Sequence, residues 1–143
     1  MVTVKIKPLV EGLKPIVAAH PGEWIDLRSA EDISLEVGEY HCVRLGVAIE
    51  LPPGYEAHIA SRSSTFKKWA IMPANGIGIV DNAYKGNDDE WMFPVIAYRL
   101  TKIHKHDRIC QFRIVESMDA VKIETVKHLG NENRGGFGST GGA

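Results

Sequence analysis

The chain has 143 residues, with 17 lysines and arginines against 18 aspartates and glutamates, for a formal net charge of −1. That length suits one domain with a real core, and the absence of a basic run leaves a duplex nucleic-acid surface without electrostatic support. No apolar run reaches membrane-spanning length.

Met1 to Lys7 alternates apolar and polar residues. This predicts a strand rather than the continuous apolar core of a signal peptide. Pro8 ends that strand or confines it to a sheet edge. Residues 11–23 read as loop. Trp24 to Leu27 is a short apolar run with one acid, Asp26, inside it. Ile33 to Val37 alternates cleanly, and Tyr40 to Leu51 is a long strand interrupted at Gly46. Pro52-Pro-Gly54 is a turn, and Tyr55 to Ala60 returns as a strand. Thr65 to Ala70 fits one or two helical turns, and Ile71 to Val80 is strand again. Trp91 to Leu100 and Ile109 to Glu116 are further strands around a turn-like stretch from Lys102 to Arg108. Val121 to Val126 alternates and is the last regular element expected. Short strands with turn signals every eight to twelve residues predict an all-β sandwich or barrel. Gly130 to Ala143 is rich in glycine and nearly free of aliphatics, and should form a mobile tail. Cys42 and Cys110 lack CxxC spacing and read as buried thiols in a reducing cytoplasm.

The stretch Asn75 to Gly86 carries the most chemistry. Alternating glycines and aliphatics, Gly76 to Val80, predict a strand whose backbone something approaches closely. Asp81 then follows, with Tyr84 three residues on, in what reads as a β-hairpin with an acid near its bend. A carboxylate beside an apolar strand is partly desolvated, which raises its pKa toward the range of a general base. The bland alternative is a turn aspartate capping its own backbone. Ser61-Arg-Ser-Ser-Thr65 places a guanidinium among four hydroxyls, a donor set suited to phosphate oxygens or simply a solvated turn. Asn133 to Gly142 repeats that chemistry with Arg134, Ser139 and Thr140, beside glycines whose amides can converge on an anion. It lacks the lysine and the strand–loop–helix setting of a P-loop. Gln111 stands among Ile109, Cys110 and Phe112, with Arg108 at the strand entrance. The six histidines show no HxxxH or HExxH pattern, so protein-ligated zinc is not expected.

Taken in order, these five segments resemble the five motifs of the trimeric dUTPase family, in the form found in phages and prophages of Gram-positive bacteria. The resemblance implies a jelly-roll β-subunit spanning 1–128 and a flexible arm, 129–143, that completes a neighbour's site in a homotrimer. It implies Mg²⁺-dependent hydrolysis of dUTP to dUMP and pyrophosphate in the cytoplasm. Asp81 would be the general base for water attacking the α-phosphorus, and Tyr84 would pack on the deoxyribose. Asn75 and the backbone of residues 76–80, Gly78 included, would read uracil. Arg62, Ser63, Ser64 and Gln111 would grip phosphates. Arg134, Gly138, Ser139 and Thr140 would hold the terminal ones, with Phe137 available as a base lid. Asp26 would sit near the Mg²⁺ shell through water.

Departures from the family pattern carry their own expectations. Glu23-Trp24 replace Ala-Gly, Ser64 replaces Gly, and Asn87-Asp-Asp-Glu90 makes an acidic exit after Gly86. Phe137 stands three residues from Arg134 rather than the usual five, which leaves the lid over the base to Trp91 or Phe93. Two alternatives follow. One is dCTP deaminase, mono- or bifunctional, which shares the fold and would need Glu90 as its proton shuttle. The other is a nucleotide-switched trimer that binds an unidentified regulatory protein.

Overall fold

Pro8 closes the first strand of the computed structural model, which describes residues 1–18 and 20–138. This strand, β1 (Lys5–Pro8), lies at a sheet edge, where a residue without an N–H does least harm. It pairs antiparallel with β4 (Tyr40–Glu50), which pairs with β8 (Glu90–Ala97), which pairs with β6 (Ile71–Pro73). The second sheet has the order β2 (Ile25–Arg28), β10 (Arg108–Glu116), β5 (Tyr55–Ala60), β7 (Gly78–Val80). A short ribbon of β3 (Ile33–Leu35) and β9 (Thr101–Ile103) completes an all-β, antiparallel architecture. One five-residue helix, α1 (Thr65–Trp69), interrupts it and ends at Ala70 in the left-handed region. No helix among the described residues is long and apolar enough to cross a membrane.

The inward positions of the two larger sheets form one core. Trp91 of β8 meets Phe112 of β10 edge to face across the sandwich, with ring centroids 5.3 Å apart. Alternation along β8 buries Trp91, Phe93, Val95 and Ala97 and turns Met92, Pro94 and Ile96 outward. In β4 the alternation breaks where the register shifts between Arg44 and Ala48. Gly46 sits there with φ +70°, and a Cβ would fall 2.7 Å from that of Ala30, so both the turn of the chain and the space require glycine.

Three expectations need correction. Ile71 to Val80 is not one strand. Pro73 and the turn at Ala74–Ile77, with Gly76 at φ +71°, carry the chain from β6 in one sheet to β7 in the other. For the same reason Asp81 is not at the bend of a hairpin. The flanking strands β7 and β8 belong to different sheets, and residues 81–89 bridge them. Val121 to Val126 forms no strand, because no edge of its own subunit pairs with it and its side chains are exposed. Among the described residues, the last regular element ends at Glu116.

Both cysteines are free. Cys42 is half-buried against the Tyr40 hydroxyl, and Cys110 is buried. Burial pushes the Cys110 thiol well up from its usual value, with the nearby Asp26 carboxylate adding to the effect. A raised pKa keeps that thiol protonated and unreactive at neutral pH. Thiol titration should therefore find at most one reactive group in the native protein and two in denaturant.

Candidate active site

Alternation along Ile25-Asp-Leu-Arg28 buries Leu27 and sends Asp26 and Arg28 to the opposite face. The register of β10 sets Gln111 between Asp26 on β2 and Ala60 on β5. Its Nε2 donates to the Ser61 carbonyl at 3.0 Å. Arg62 folds back over this end of the sheet, with Nε 2.9 Å from Asp26 Oδ1 and Nη1 donating to the Arg108 carbonyl at 3.1 Å. Arg108 reaches the other Asp26 oxygen at 3.5 Å. One carboxylate is thus surrounded by Arg62 and Arg108, with Arg28 beside Arg108 in register, a surplus of positive charge suited to a polyanion. Ser63 is exposed and Ser64 half-buried just before α1. Thr65 is buried, and its hydroxyl does two things. It accepts from the Arg62 N–H at 2.8 Å and donates to the Ile109 carbonyl at 3.1 Å.

The second group of residues lies along β7. This strand is the free edge of its sheet, so one side of its backbone is open to an incoming ligand. Gly78 packs against Ile59, where a Cβ would come within 3.3 Å of Ile59 Cβ. Asn75 is exposed in the preceding turn. Asp81 follows the strand, and its carbonyl accepts from the Tyr84 N–H at 3.1 Å. Asn82 ties the bend to the rest of the fold by donating to the carbonyls of Pro52 and Tyr55, both at 2.9 Å. The Tyr84 hydroxyl donates to the Glu90 carbonyl at 2.9 Å. Asp81, Tyr84, Trp91 and Met92 line a cleft of about 330 Å³. Asp81 is exposed in the single subunit, so its own chain does not supply the burial suggested by the sequence.

Gly78 pairs with Ile59, close to Gln111, but Asp81 and Arg62 sit at opposite ends of β5. Val80 pairs with Ala57, which sets Asp81 beside Glu56, whereas Gln111 and Arg62 gather at Ala60 and Ser61. At 3.3 Å per residue these ends are roughly 13–16 Å apart.

The dUTPase family model matches residues 24–141. The chain belongs to the dUTPase family. It is 52% identical over 138 residues to the SPbeta prophage-derived deoxyuridine 5'-triphosphate nucleotidohydrolase YosS of Bacillus subtilis, covering 96% of this chain and 97% of that protein. It is 36% identical over 144 residues to a deoxyuridine 5'-triphosphate nucleotidohydrolase of Thermobifida fusca, covering 99% and 80%. Among solved structures, a mutant of the Staphylococcus bacteriophage 80alpha dUTPase with dUpNHpp superposes with a TM-score of 0.79 at 22% identity, covering 97% of this chain and 98% of that one.

In this dUTPase the structure withdraws one expected role. Trp91 and Phe93 are 1% and 2% exposed and belong to the core, so neither can act as a lid over a base; Trp91 instead lines the floor of the cleft. Phe137 is exposed, and Arg134 is exposed beside it. Ser139 and Thr140 lie outside the described residues. Among the described residues no three His, Cys, Asp or Glu side chains stand together as a metal site. Asp26 has both oxygens engaged by arginines, so its donor set does not make a metal cage.

Sequence reasoning missed Arg28 and Thr65. Arg28 was legible, because it stands two residues from Asp26 on the same face of an alternating strand. Thr65 was not, since nothing in Ser61-Arg-Ser-Ser-Thr65 marks which hydroxyl is buried. Thr65→Val would leave a half-buried N–H and a buried carbonyl without this partner. We expect a loss of about 2 kcal/mol of stability, measured by urea denaturation, and slower turnover as the Arg62 loop loosens.

Proposed function

We propose that this dUTPase converts dUTP to dUMP and pyrophosphate, with Asp81 as the general base that draws a proton from water attacking the α-phosphorus. The observation that carries the reading is the composition of the β7 end. An open backbone edge, one carboxylate and one tethered aromatic ring converge there within a cleft. The edge amides and carbonyls of residues 76–80, with Asn75, suit the polar rim of uracil, and Tyr84 presents a flat face to a sugar without a 2′-hydroxyl. Arg62, Ser63, Ser64 and Gln111 suit the phosphates, for which positioning and charge neutralisation provide most of the rate.

The separation along β5 supports a site shared between copies of the chain. A base at one end and phosphate-binding arginines at the other do not meet within one subunit, but they can meet between the faces of neighbours in a homotrimer. The arm at 129–143, with Arg134, Phe137, Gly138, Ser139 and Thr140, then closes over a neighbour's nucleotide, and Phe137 becomes the lid. The substrate enters as its Mg²⁺ complex, the cation neutralising triphosphate charge and Asp26 touching its shell only through water. Acting on free nucleotides, the enzyme belongs in the cytoplasm of the bacterial or phage-infected cell.

The deaminase alternative is disfavoured by Glu90. Its carboxylate accepts from Arg44 Nε and Nη2 and from the Gly46 N–H, and this leaves it poorly placed to shuttle protons. Pyrophosphate should be released from dUTP with Mg²⁺, far faster than from UTP, dTTP or dCTP, and ammonia release from dCTP would reverse the choice.

Asp81→Asn should fold and bind dUTP while losing a factor of about 10² to 10⁴ in turnover; full activity would remove Asp81 from the mechanism. A chain ending at Leu129 should also be nearly inactive. Refolded together, the two inactive proteins should regain activity, because some sites then combine an intact Asp81 with an intact arm. Mixtures that exchange subunits by mass yet stay inactive would mean that the arm serves its own subunit.

A further inference from the structure

Residues 83–88 are exposed, and Tyr84 itself is 43% exposed. A ring on such a segment holds one orientation only if something outside the segment fixes it. Its hydroxyl has one anchor, the backbone carbonyl of Glu90. Glu90 is in turn the most constrained acid in the region. Its side chain is 12% exposed, and Arg44 grips both oxygens, with Nε at 3.2 and 3.0 Å and Nη2 at 2.9 Å. The fourth contact is the Gly46 N–H at 3.2 Å. That N–H points at Glu90 because β4 bulges there, and the rest of the bulge is held by its own bonds. Leu9 N–H donates to the Gly46 carbonyl at 2.7 Å, and Ala30 N–H donates to the Arg44 carbonyl at 2.8 Å. The Asp89 carboxylate accepts from the Gly86 N–H at 2.7 Å, which folds the intervening residues into a tight turn ending at the clasp.

We infer that the Arg44–Glu90 pair, seated on the Gly46 bulge, is a positioning device for Tyr84 and through it sets how strictly the enzyme rejects a ribose. This rests on the dUTPase reading above. Arg44 does not line the cleft, and Glu90, which does, has its carboxylate held by Arg44 and the Gly46 N–H. Glu90 fixes where its own carbonyl lies, that carbonyl fixes the Tyr84 ring, and the ring bounds the space available at the 2′-position. Bidentate Arg–carboxylate contacts are directional as well as strong, so they suit a role that demands a fixed point rather than extra stability. The acidic exit after Gly86 thereby gains a purpose. Three of its residues supply length and a turn, and the fourth is the anchor.

The test is the ratio of kcat/KM for dUTP to that for UTP in Glu90→Gln, Arg44→Met, the double variant and Tyr84→Phe. Asp32→Asn serves as the control, since the exposed Asp32 carboxylate pairs with His104 at 3.7 Å. Glu90→Gln and Arg44→Met should each lower the ratio at least tenfold, mostly through better use of UTP. The double variant should be no worse than either single one, because both break the same clasp. Tyr84→Phe removes the tether directly and should fall by a similar factor, and it carries the test alone if the clasp variants fail to fold. Asp32→Asn should keep the wild-type ratio. Folded clasp variants and a Tyr84→Phe that hydrolyse dUTP with the wild-type preference would overturn this inference and leave the dUTPase reading standing. Wild-type protein that releases no pyrophosphate from dUTP would overturn the reading itself.

Discussion

The register of β10 between β2 and β5 is the constraint on which the rest of the molecule depends. Side chains alternate across a sheet, so a slip of one residue would exchange Phe112 for Gln111. Phe112 would leave its contact with Trp91, and the core would lose the aromatic pair that joins its two sheets. Gln111 would leave its place between Asp26 and Ser61. Burial of one residue and exposure of the other are therefore a single event. The hydrophobic effect that holds Phe112 inside also decides which polar groups meet at the arginine-rich end.

Each large sheet contains a break that is repaired by a side chain from elsewhere. In β10 the register against β2 shifts between Arg108 and Cys110, which takes Ile109 out of the ladder. The Thr65 hydroxyl then satisfies the Ile109 carbonyl and fixes the Arg62 backbone with the same oxygen. In β4 the shift falls at Gly46, and the Glu90 carboxylate takes up the displaced N–H. Bulges bend strands and re-aim side chains, and a displaced backbone group left unpaired would be costly. Both repairs recruit groups that also position candidate functional residues, so fold stability and site geometry are coupled at these two points.

Most of the strand framework was legible because its cause is local. Alternation at Tyr55 to Ala60 and Trp91 to Ala97 reports one buried face, and Gly46 announced its interruption of β4. The errors arose where the answer depends on a distant partner. Ile71 to Val80 is the exception, because Pro73 and Asn75-Gly76 are a local turn signal, and they divide it between sheets. Val121 to Val126 alternates well but has no strand edge to join within its own subunit. The site was legible in its residue types and not in its distances. Asp81 and Arg62 stand 19 positions apart in the chain, and only the pairing of β5 with β7 reveals that they occupy opposite ends. Trp91 and Phe93 were offered as lids because aromatic character alone does not reveal that a ring is buried.

What a single subunit leaves uncovered gives the proposed trimer its physical basis. On the outer face of the sheet β1-β4-β8-β6, Met72 and Tyr40 flank Ile96 in register, and Met92 lies further along β8. Tyr40, Met72 and Met92 are all exposed, as are Phe66, Tyr98 and Leu100 nearby in sequence or contact. Large apolar side chains grouped in this way are ordinary at an interface and unfavourable in water. The edge of β7 is open, and the alternating segment at 121–126 lacks a partner strand. Assembly from identical copies would satisfy these features together, covering apolar surface while bringing one chain's Asp81 toward another's arginines. Asp81, exposed in the single subunit, would then gain from a neighbour the enclosure that its own chain does not provide.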